Sequence, residues 1–237
     1  MKQLSILLVF LFIAGCSIVK FIPCSTDVNP NSFKSGIIPL DSGNFWVYKV
    51  ETKGKPTYFQ TVVIGGIDTI YYKGENGLTP ILGYKVNFKS GFSPSSSNQI
   101  FYYIKCQEKV TLVKCDPKNP KFIIEPMNEL LENPKIGDIS PYDKAEWVGI
   151  DSIETTYGIL KCNVQSKKLY IPISDVNNIP LDVVTKDKLF FHKGIGLIRT
   201  LSLNRFNDII TNMELINYRV KLKKLFSHSQ SRISIRS

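Results

Sequence analysis

The sequence predicts an all-β protein, an antiparallel meander forming an open barrel or sandwich with at most one short helix. Three observations carry that class. Apolar and polar residues alternate over short stretches, these stretches are rich in β-branched and aromatic side chains, and clusters of Gly, Pro, Asn and Ser part them at short intervals. A helix needs several turns of three- and four-residue apolar spacing to persist. Only residues 126–132, bounded by Pro126 and Pro134, offer even two.

The clearest strand comes first. In residues 45–50 the side chains of Trp46, Tyr48 and Val50 share one face, with Lys49 and then Glu51 on the other. Gly54-Lys55-Pro56 makes a turn and residues 58–64 the return. Further apolar or β-branched runs follow at 69–72, 84–88, 100–104, 110–113 and 122–124. Turn formers separate them, notably Gly74-Glu75-Asn76-Gly77 and the Ser/Pro/Asn stretch 93–98. After Gly137-Asp138 the pattern resumes at 145–150, 160–164, 169–173, 189–191, 195–203 and 213–222. Ile195, Leu197, Leu201 and Leu203 keep one parity, as do Ile216, Tyr218, Val220 and Leu222, which reads as long paired closing strands. No repeat or shift in composition forces a boundary. Residues 133–140 are where a subdivision would fall.

An apolar share of 43 % with 21 % charged residues is ordinary for a folded chain, so a real core is expected. The net charge of +10 suits a neighbourhood of anionic lipid and polysaccharide.

The start of the chain supplies an address. Lys2 gives a positive first region, residues 4–13 an apolar run interrupted only by Ser5, and Ala14 and Gly15 a small-residue site. A run this short cannot cross a hydrocarbon core of about 30 Å, so it reads as a signal peptide. Ile13-Ala14-Gly15-Cys16 resembles the lipobox of bacterial lipoproteins, departing only in Ile13, where Leu is commoner. The resemblance implies that the Cys16 thiol receives a diacylglyceryl group, that signal peptidase II cuts between Gly15 and Cys16, and that Cys16 becomes an acylated N-terminus. Two or more acyl chains hold a protein on a bilayer where one does not. The expected organisation is a cleaved signal at 1–15, a lipidated flexible tether at 16–36, one antiparallel β domain at 37–222 and a basic tail at 223–237. No acidic residue precedes Asp27, so neither the inner-membrane retention signal nor the early acidic surface-export signal of such lipoproteins is matched. The expected location is the cell envelope, with the outer membrane facing the periplasm preferred.

An oxidising compartment makes cysteine pairing relevant. With Cys16 acylated, Cys24, Cys106, Cys115 and Cys162 allow three connectivities. A turn near Gln107-Glu108-Lys109 would leave Cys106 beside it and Cys115 well up the opposite strand, beyond the 4.4–6.8 Å between Cα atoms that a disulfide typically requires. Cys162 alternates in phase with Leu160 and Val164, as a small buried hydrophobe would. No CxxC pair or histidine-rich set exists, so no metal is expected.

A second resemblance spans the domain. Pro39-Leu40-Asp41-Ser42-Gly43-Asn44-Phe45-Trp46-Val47-Tyr48 is similar to the Pro-Leu-x-x-Gly-Asn-x-Trp-x-Tyr opening of uncharacterised secreted β-rich bacterial lipoproteins. Thr156-Tyr157-Gly158-Ile159-Leu160-Lys161-Cys162 and His192-Lys193-Gly194-Ile195-Gly196-Leu197-Ile198 resemble their later landmarks. The group has no assigned activity, so the resemblance implies an envelope protein and no catalytic residues. Physically the landmarks read as framework: Gly43-Asn44 turns into a strand whose Trp46 and Tyr48 plug a core, and Gly194 and Gly196 permit a tight bend.

Little catalytic chemistry is legible. Only His192 and His228 exist, and His192 lies beside Phe190 and Phe191 as in a packed strand. Gly194-Ile195-Gly196 lacks the third glycine of a dinucleotide loop, and Asp175-Val176-Asn177-Asn178 is too incomplete for a calcium loop. Asp138, Asp143, Glu146, Asp151 and Glu154 are candidates for a glycosidase pair, against the commoner reading of solvated carboxylates. Aromatics point further: Tyr71-Tyr72, Tyr102-Tyr103 and Phe190-Phe191 each place one ring on either face of a strand, one for the core and one for packing or a ligand. With Trp46 and Tyr48, the tyrosines form the candidate ligand or packing set. The basic residues Arg219, Lys221, Lys223, Lys224, Arg232 and Arg236 read as a solvated terminus with anionic lipid as the alternative.

The expected function is a non-catalytic, lipid-anchored binding or scaffolding β domain without cofactor. The alternatives are an envelope glycan hydrolase using paired carboxylates, and a carrier of an apolar ligand. Expected partners are the membrane, through the lipid, and an envelope protein, glycan or lipid ligand; nucleic acid is not one.

Overall fold

The alternation in the first strand is realised residue by residue. β1 (Phe45–Thr52) buries Trp46, Tyr48 and Val50 and leaves Glu51 in solvent. The structure is a computed structural model and describes residues 36–75, 77–90, 99–174 and 180–220. The further strands are β2 (Tyr58–Gly74), β3 (Gly77–Ser90), β4 (Ile100–Cys106), β5 (Lys109–Cys115), β6 (Ile123–Leu131), β7 (Glu146–Thr155), β8 (Gly158–Ser174), β9 (Pro180–His192), β10 (Gly196–Leu203) and β11 (Ile209–Arg219). All eleven belong to one antiparallel sheet in the order β6-β5-β4-β3-β2-β1-β11-β10-β9-β8-β7. Every neighbour except β1 and β11 is consecutive in the chain. The meander therefore runs outward from β1 to an edge at β6, jumps to the opposite edge at β7, and runs back to close on β1.

Three expectations are corrected. Residues 58–64 and 69–72 form one strand, because β2 continues through Gly65-Gly66 with only a register shift against β3 between Ile64 and Ile67. Residues 160–164 and 169–173 are likewise one strand, β8, paired along its length with β9. The helix expected at 126–132 lies within β6 instead. Pro126 is accommodated there because β6 is an edge strand and its pairing with β5 shifts register between Leu112 and Val113, beside the proline. The region 133–140 is the connection between the two edge strands. The stretches 93–98 and 175–178, the N-terminal signal and tether, and the tail beyond Val220 lie outside the described residues.

Parity sorts the side chains into two cores. On β4 the odd residues Phe101 and Tyr103 pack on the main core, with Trp46, Tyr48, Trp147, Phe191 and Ile198. The even residues Tyr102 and Ile104 pack on a second core with Ile70, Ile81, Val113 and Cys115. The far end of β2 reaches this second core by folding over: Tyr71 N–H donates to Lys121 C=O at 2.6 Å, and Tyr71 and Phe122 form a parallel bridge. Cys115 and Cys162 are free and buried. Cys106 lies opposite Lys109 and Cys115 opposite Ile100, at opposite ends of the β4–β5 hairpin, as the turn geometry requires.

An open sheet needs something to hold its halves together. The strap formed by residues 36–40 does so: Ile37, Ile38 and Leu40 are buried in the main core. Its backbone is gripped from both sides. Ile37 N–H donates to Glu132 Oε2 at 2.7 Å, and Gly194 N–H donates to Gly36 C=O at 3.0 Å. Glu132 is itself paired with Lys105, Nζ to Oε1 3.0 Å, both side chains no more than 10 % exposed. A Cβ on residue 36 would stand 2.5 Å from Glu132 Oε1, so glycine is what lets the strap lie against the carboxylate. Asn44, fully buried, ties the strap to β1 by donating from Nδ2 to Pro39 C=O at 3.1 Å.

Leu40 is 1 % exposed, so Leu40→Ala is expected to cost about 2–5 kcal/mol, read as a fall in the urea midpoint. Ile136→Ala, at a residue 76 % exposed, should cost less than about 0.5 kcal/mol.

Candidate functional site

The register of the sheet assembles an apolar wall row by row. Trp46 lies opposite Val62, and Val62 opposite Phe88. Tyr103 lies opposite Leu112, and Leu112 opposite Asn128. Leu197 lies opposite Phe191. These rows come from both halves of the sheet, yet they line a single cavity of about 180 Å³. The sheet must therefore curl until β6 and β9–β10 face each other across the interior. Phe88, 39 % exposed and packed edge-on against Phe101 at 5.3 Å between ring centres, stands partly in solvent.

The cavity lies where the sheet splits. β10 and β11 pair only from Arg199 to Leu203, whereas β1 stays paired with β11 from Thr211 to Arg219, so the start of β10 has no partner from β11. The carbonyls that β11 abandons would be unsatisfied in an apolar interior, at a typical cost of about 1–3 kcal/mol each. Two aromatic side chains of β1 satisfy them instead. Trp46 Nε1–H donates to Ile195 C=O at 2.5 Å, and Tyr48 Oη–H donates to Leu197 C=O at 3.0 Å. From the β7–β8 turn, Tyr157 Oη–H donates to Ile216 C=O at 2.7 Å and its ring meets Tyr218 edge-on. Gly196 sits at the split with φ +106°, a conformation that side chains disfavour.

Among the described residues no charged side chain lines the cavity; the polar members are Gln60, Asn128 and the two phenols. Burial pushes the Tyr48 phenol well above its ordinary value, with Tyr103 adding to the effect, and burial pushes Tyr103 to about 12. Both phenols remain neutral at physiological pH. Asn128 Oδ1 is buried and accepts no hydrogen bond from the described residues. The wall formed by the described residues is thus largely apolar and uncharged.

Of the six aromatics singled out from sequence, Trp46, Tyr48 and Tyr103 meet at this cavity. Tyr102 is in the second core, donating to Asp68 Oδ2 at 3.1 Å, and Tyr72 packs against the same core. Tyr71 stacks on Phe122 with 5.8 Å between ring centres. Leu112 and Phe191 were legible as strand apolars, Leu130 fell in the stretch expected to be a helix, and nothing in the sequence marks Asn128 as interior.

The other candidates lie elsewhere. Glu146, Asp151 and Glu154 are exposed, Asp143 pairs with Lys167 at 3.6 Å, and Asp138 Oδ2 accepts from Lys135 N–H at 2.7 Å. None of them lines the cavity. His192 closes β9 opposite Gly196, outside the lining. Among the described residues no three His, Cys, Asp or Glu side chains converge as metal ligands. Cys16 and Gly15 lie outside the described residues.

No family model matches the chain, and no curated protein matches it. Two solved structures are similar in outline. One is described as an exported protein with a YmcC-like fold from Bacteroides fragilis, 11 % identical, covering 78 % of this chain and 99 % of its own, with a TM-score of 0.47. The other is described as a lipoprotein from Parabacteroides distasonis, 13 % identical, with the same coverage and a TM-score of 0.40. At that level of likeness neither fold nor function is transferred.

Tyr48→Phe keeps the ring and removes the donor to Leu197 C=O. The expected loss is about 1–3 kcal/mol in denaturant unfolding, with near-ultraviolet circular dichroism showing the core still packed.

Proposed function

We propose that this protein is a lipid-anchored envelope protein whose curled sheet binds an apolar group without catalysis. The observation that supports the reading is the cavity of about 180 Å³, walled mainly by apolar side chains, with Asn128, whose Oδ1 is without a partner among the described residues, in its lining. Apolar interior space of about 150 Å³ accommodates a ligand of benzene size. The cavity therefore fits one ring or the end of an acyl chain, not a whole lipid. The uncharged lining disfavours an ionic head group inside, since an unpaired buried charge costs several kcal/mol. The ligand best matched is a compact apolar group bearing one hydroxyl or N–H that can donate to Asn128 Oδ1. The address is supported by the lipobox resemblance at Ile13-Ala14-Gly15-Cys16, with Cys16 acylated and the domain in the periplasm at the outer membrane.

Small probes test the binding reading. Hexanol should quench or shift Trp46 fluorescence with about millimolar affinity, since each buried methylene contributes about 0.8 kcal/mol. Hexane should bind about fivefold more weakly, and Asn128→Leu should abolish that difference. Val62→Phe, which fills the cavity, should weaken hexanol binding at least about tenfold. Affinity should be flat between pH 5 and pH 9, because no lining group titrates there. Equal binding by wild type and Val62→Phe would contradict the reading.

A further inference from the structure

Glutamine is seldom fully buried, and an unpaired polar group in an apolar interior is costly enough to call for an explanation. Gln165 on β8 has no exposed surface, yet neither its Oε1 nor its Nε2 has a hydrogen-bond partner among the described residues. The same holds for the buried Oγ1 of Thr200 on β10. Register brings the two together. Gln165 lies opposite Leu189 on β9, and Thr200 lies opposite Leu189 from the other side. Residues directly opposite in an antiparallel pair share a face, with Cβ atoms about 4.5–5.5 Å apart. Leu189 lines the cavity, and so does Met213, which lies opposite Thr200 on β11. Gln165 and Thr200 therefore flank a wall residue of the cavity, on the face that carries the wall.

The next row along that face is polar throughout. Lys167, Asp187, Ser202, Thr211 and Thr52 lie opposite one another in succession from β8 to β1. The face thus passes from an apolar lining, through Gln165 and Thr200, to a polar margin. We propose that Gln165 and Thr200 form a polar subsite beside the cavity, taking the carboxamide end of a neutral ligand whose short apolar chain occupies the cavity. The inference rests on the cavity binding an apolar group, as proposed above.

The chemistry of the free groups sets the ligand class. A glutamine side chain offers two donor hydrogens and an acceptor oxygen, and a primary amide is its complement. Gln165 Nε2–H donates to the ligand carbonyl, one ligand N–H donates to Gln165 Oε1, and the other donates to Thr200 Oγ1. β8 and β10 stand about 9–10 Å apart across β9, a gap that a glutamine side chain and a carboxamide fill. An anionic end group fits less well, because Lys167 is already paired with Asp143 at 3.6 Å. An apolar side chain of the same length would leave no unpaired group at position 165, so binding rather than folding accounts for the glutamine.

The test measures binding of hexanol, hexanamide and hexanoate to the full chain at pH 7 by tryptophan fluorescence, in wild type, Gln165→Met, Thr200→Val and Asn128→Leu. Wild type should bind hexanamide at least about fivefold more tightly than hexanol and about tenfold more tightly than hexanoate. The ratio of amide to alcohol affinity should fall at least about tenfold in Gln165→Met and about threefold in Thr200→Val. It should not fall in Asn128→Leu, and Gln165→Met should keep or raise Tm. Thr200→Val, which keeps the shape and removes only the hydroxyl, decides the matter if Gln165→Met does not fold. An unchanged ratio in these two variants, or hexanoate binding as tightly as hexanamide, would overturn the subsite. So would a lowered Tm in Gln165→Met with the ratio intact, the mark of a fixed water on Gln165. Hexanol bound with hexanamide no tighter would remove the subsite and leave the cavity reading standing, whereas wild type binding neither would remove both.

Discussion

The grip on residues 36–40 is the constraint on which the rest of the structure depends. The eleven-stranded sheet of the described residues ends at β6 and β7, which do not pair with each other as strands, and its concave face stays enclosed only while the halves remain curled toward each other. The strap joins them at one point. Glu132, at the end of β6, holds Ile37, and Gly194, in the β9–β10 turn, holds Gly36. The 132–145 connection adds local stitching, with Trp147 N–H donating to Asp138 C=O and Glu129 N–H to Ser140 Oγ. A buried pair such as Lys105–Glu132 adds little net stability relative to an apolar replacement, but removing one partner strands the other charge at about 3–5 kcal/mol. The pair therefore matters more for where it fixes the strap than for its own attraction.

The curl has a second consequence. Bringing β6 opposite β9 and β10 creates interior space, and the end of the β10–β11 pairing at Arg199 leaves the carbonyls of Ile195 and Leu197 without partners from β11. Trp46 and Tyr48 are large enough to wall the space and polar enough at their tips to satisfy those carbonyls. Framework and candidate site thus share residues. A ligand that enters must fit between rings already committed to holding the split, which is why the cavity takes a compact group.

Much of this was legible in the sequence and some of it was not. The strict alternation of Trp46, Tyr48 and Val50, the turn at Gly54-Lys55-Pro56, and the opposed faces of Tyr102 and Tyr103 are local properties, and local patterns report them. Strand lengths failed where a glycine pair looked like punctuation: Gly65-Gly66 shifts register within β2 without ending it. Residues 126–132 failed because Pro126 suggests a helix start, and only the position of β6 at the sheet edge makes it harmless in a strand. Asn128 gave no signal, since a polar residue in an edge strand is ordinarily solvated. Its burial is set by curvature, and curvature is a property of all eleven strands and the strap together.

The most direct measurement is amide hydrogen exchange by mass spectrometry on Glu132→Gln against wild type. Glutamine keeps an acceptor for Ile37 N–H but withdraws the charge that faces Lys105. If the strap holds the curl, protection should fall at least about tenfold together in residues 36–40, in β4–β6 and in the β9–β10 turn, because both halves are released at once. Loss confined to residues 36–40, with β6, β9 and β10 protected as before, would show that the sheet curls without the strap.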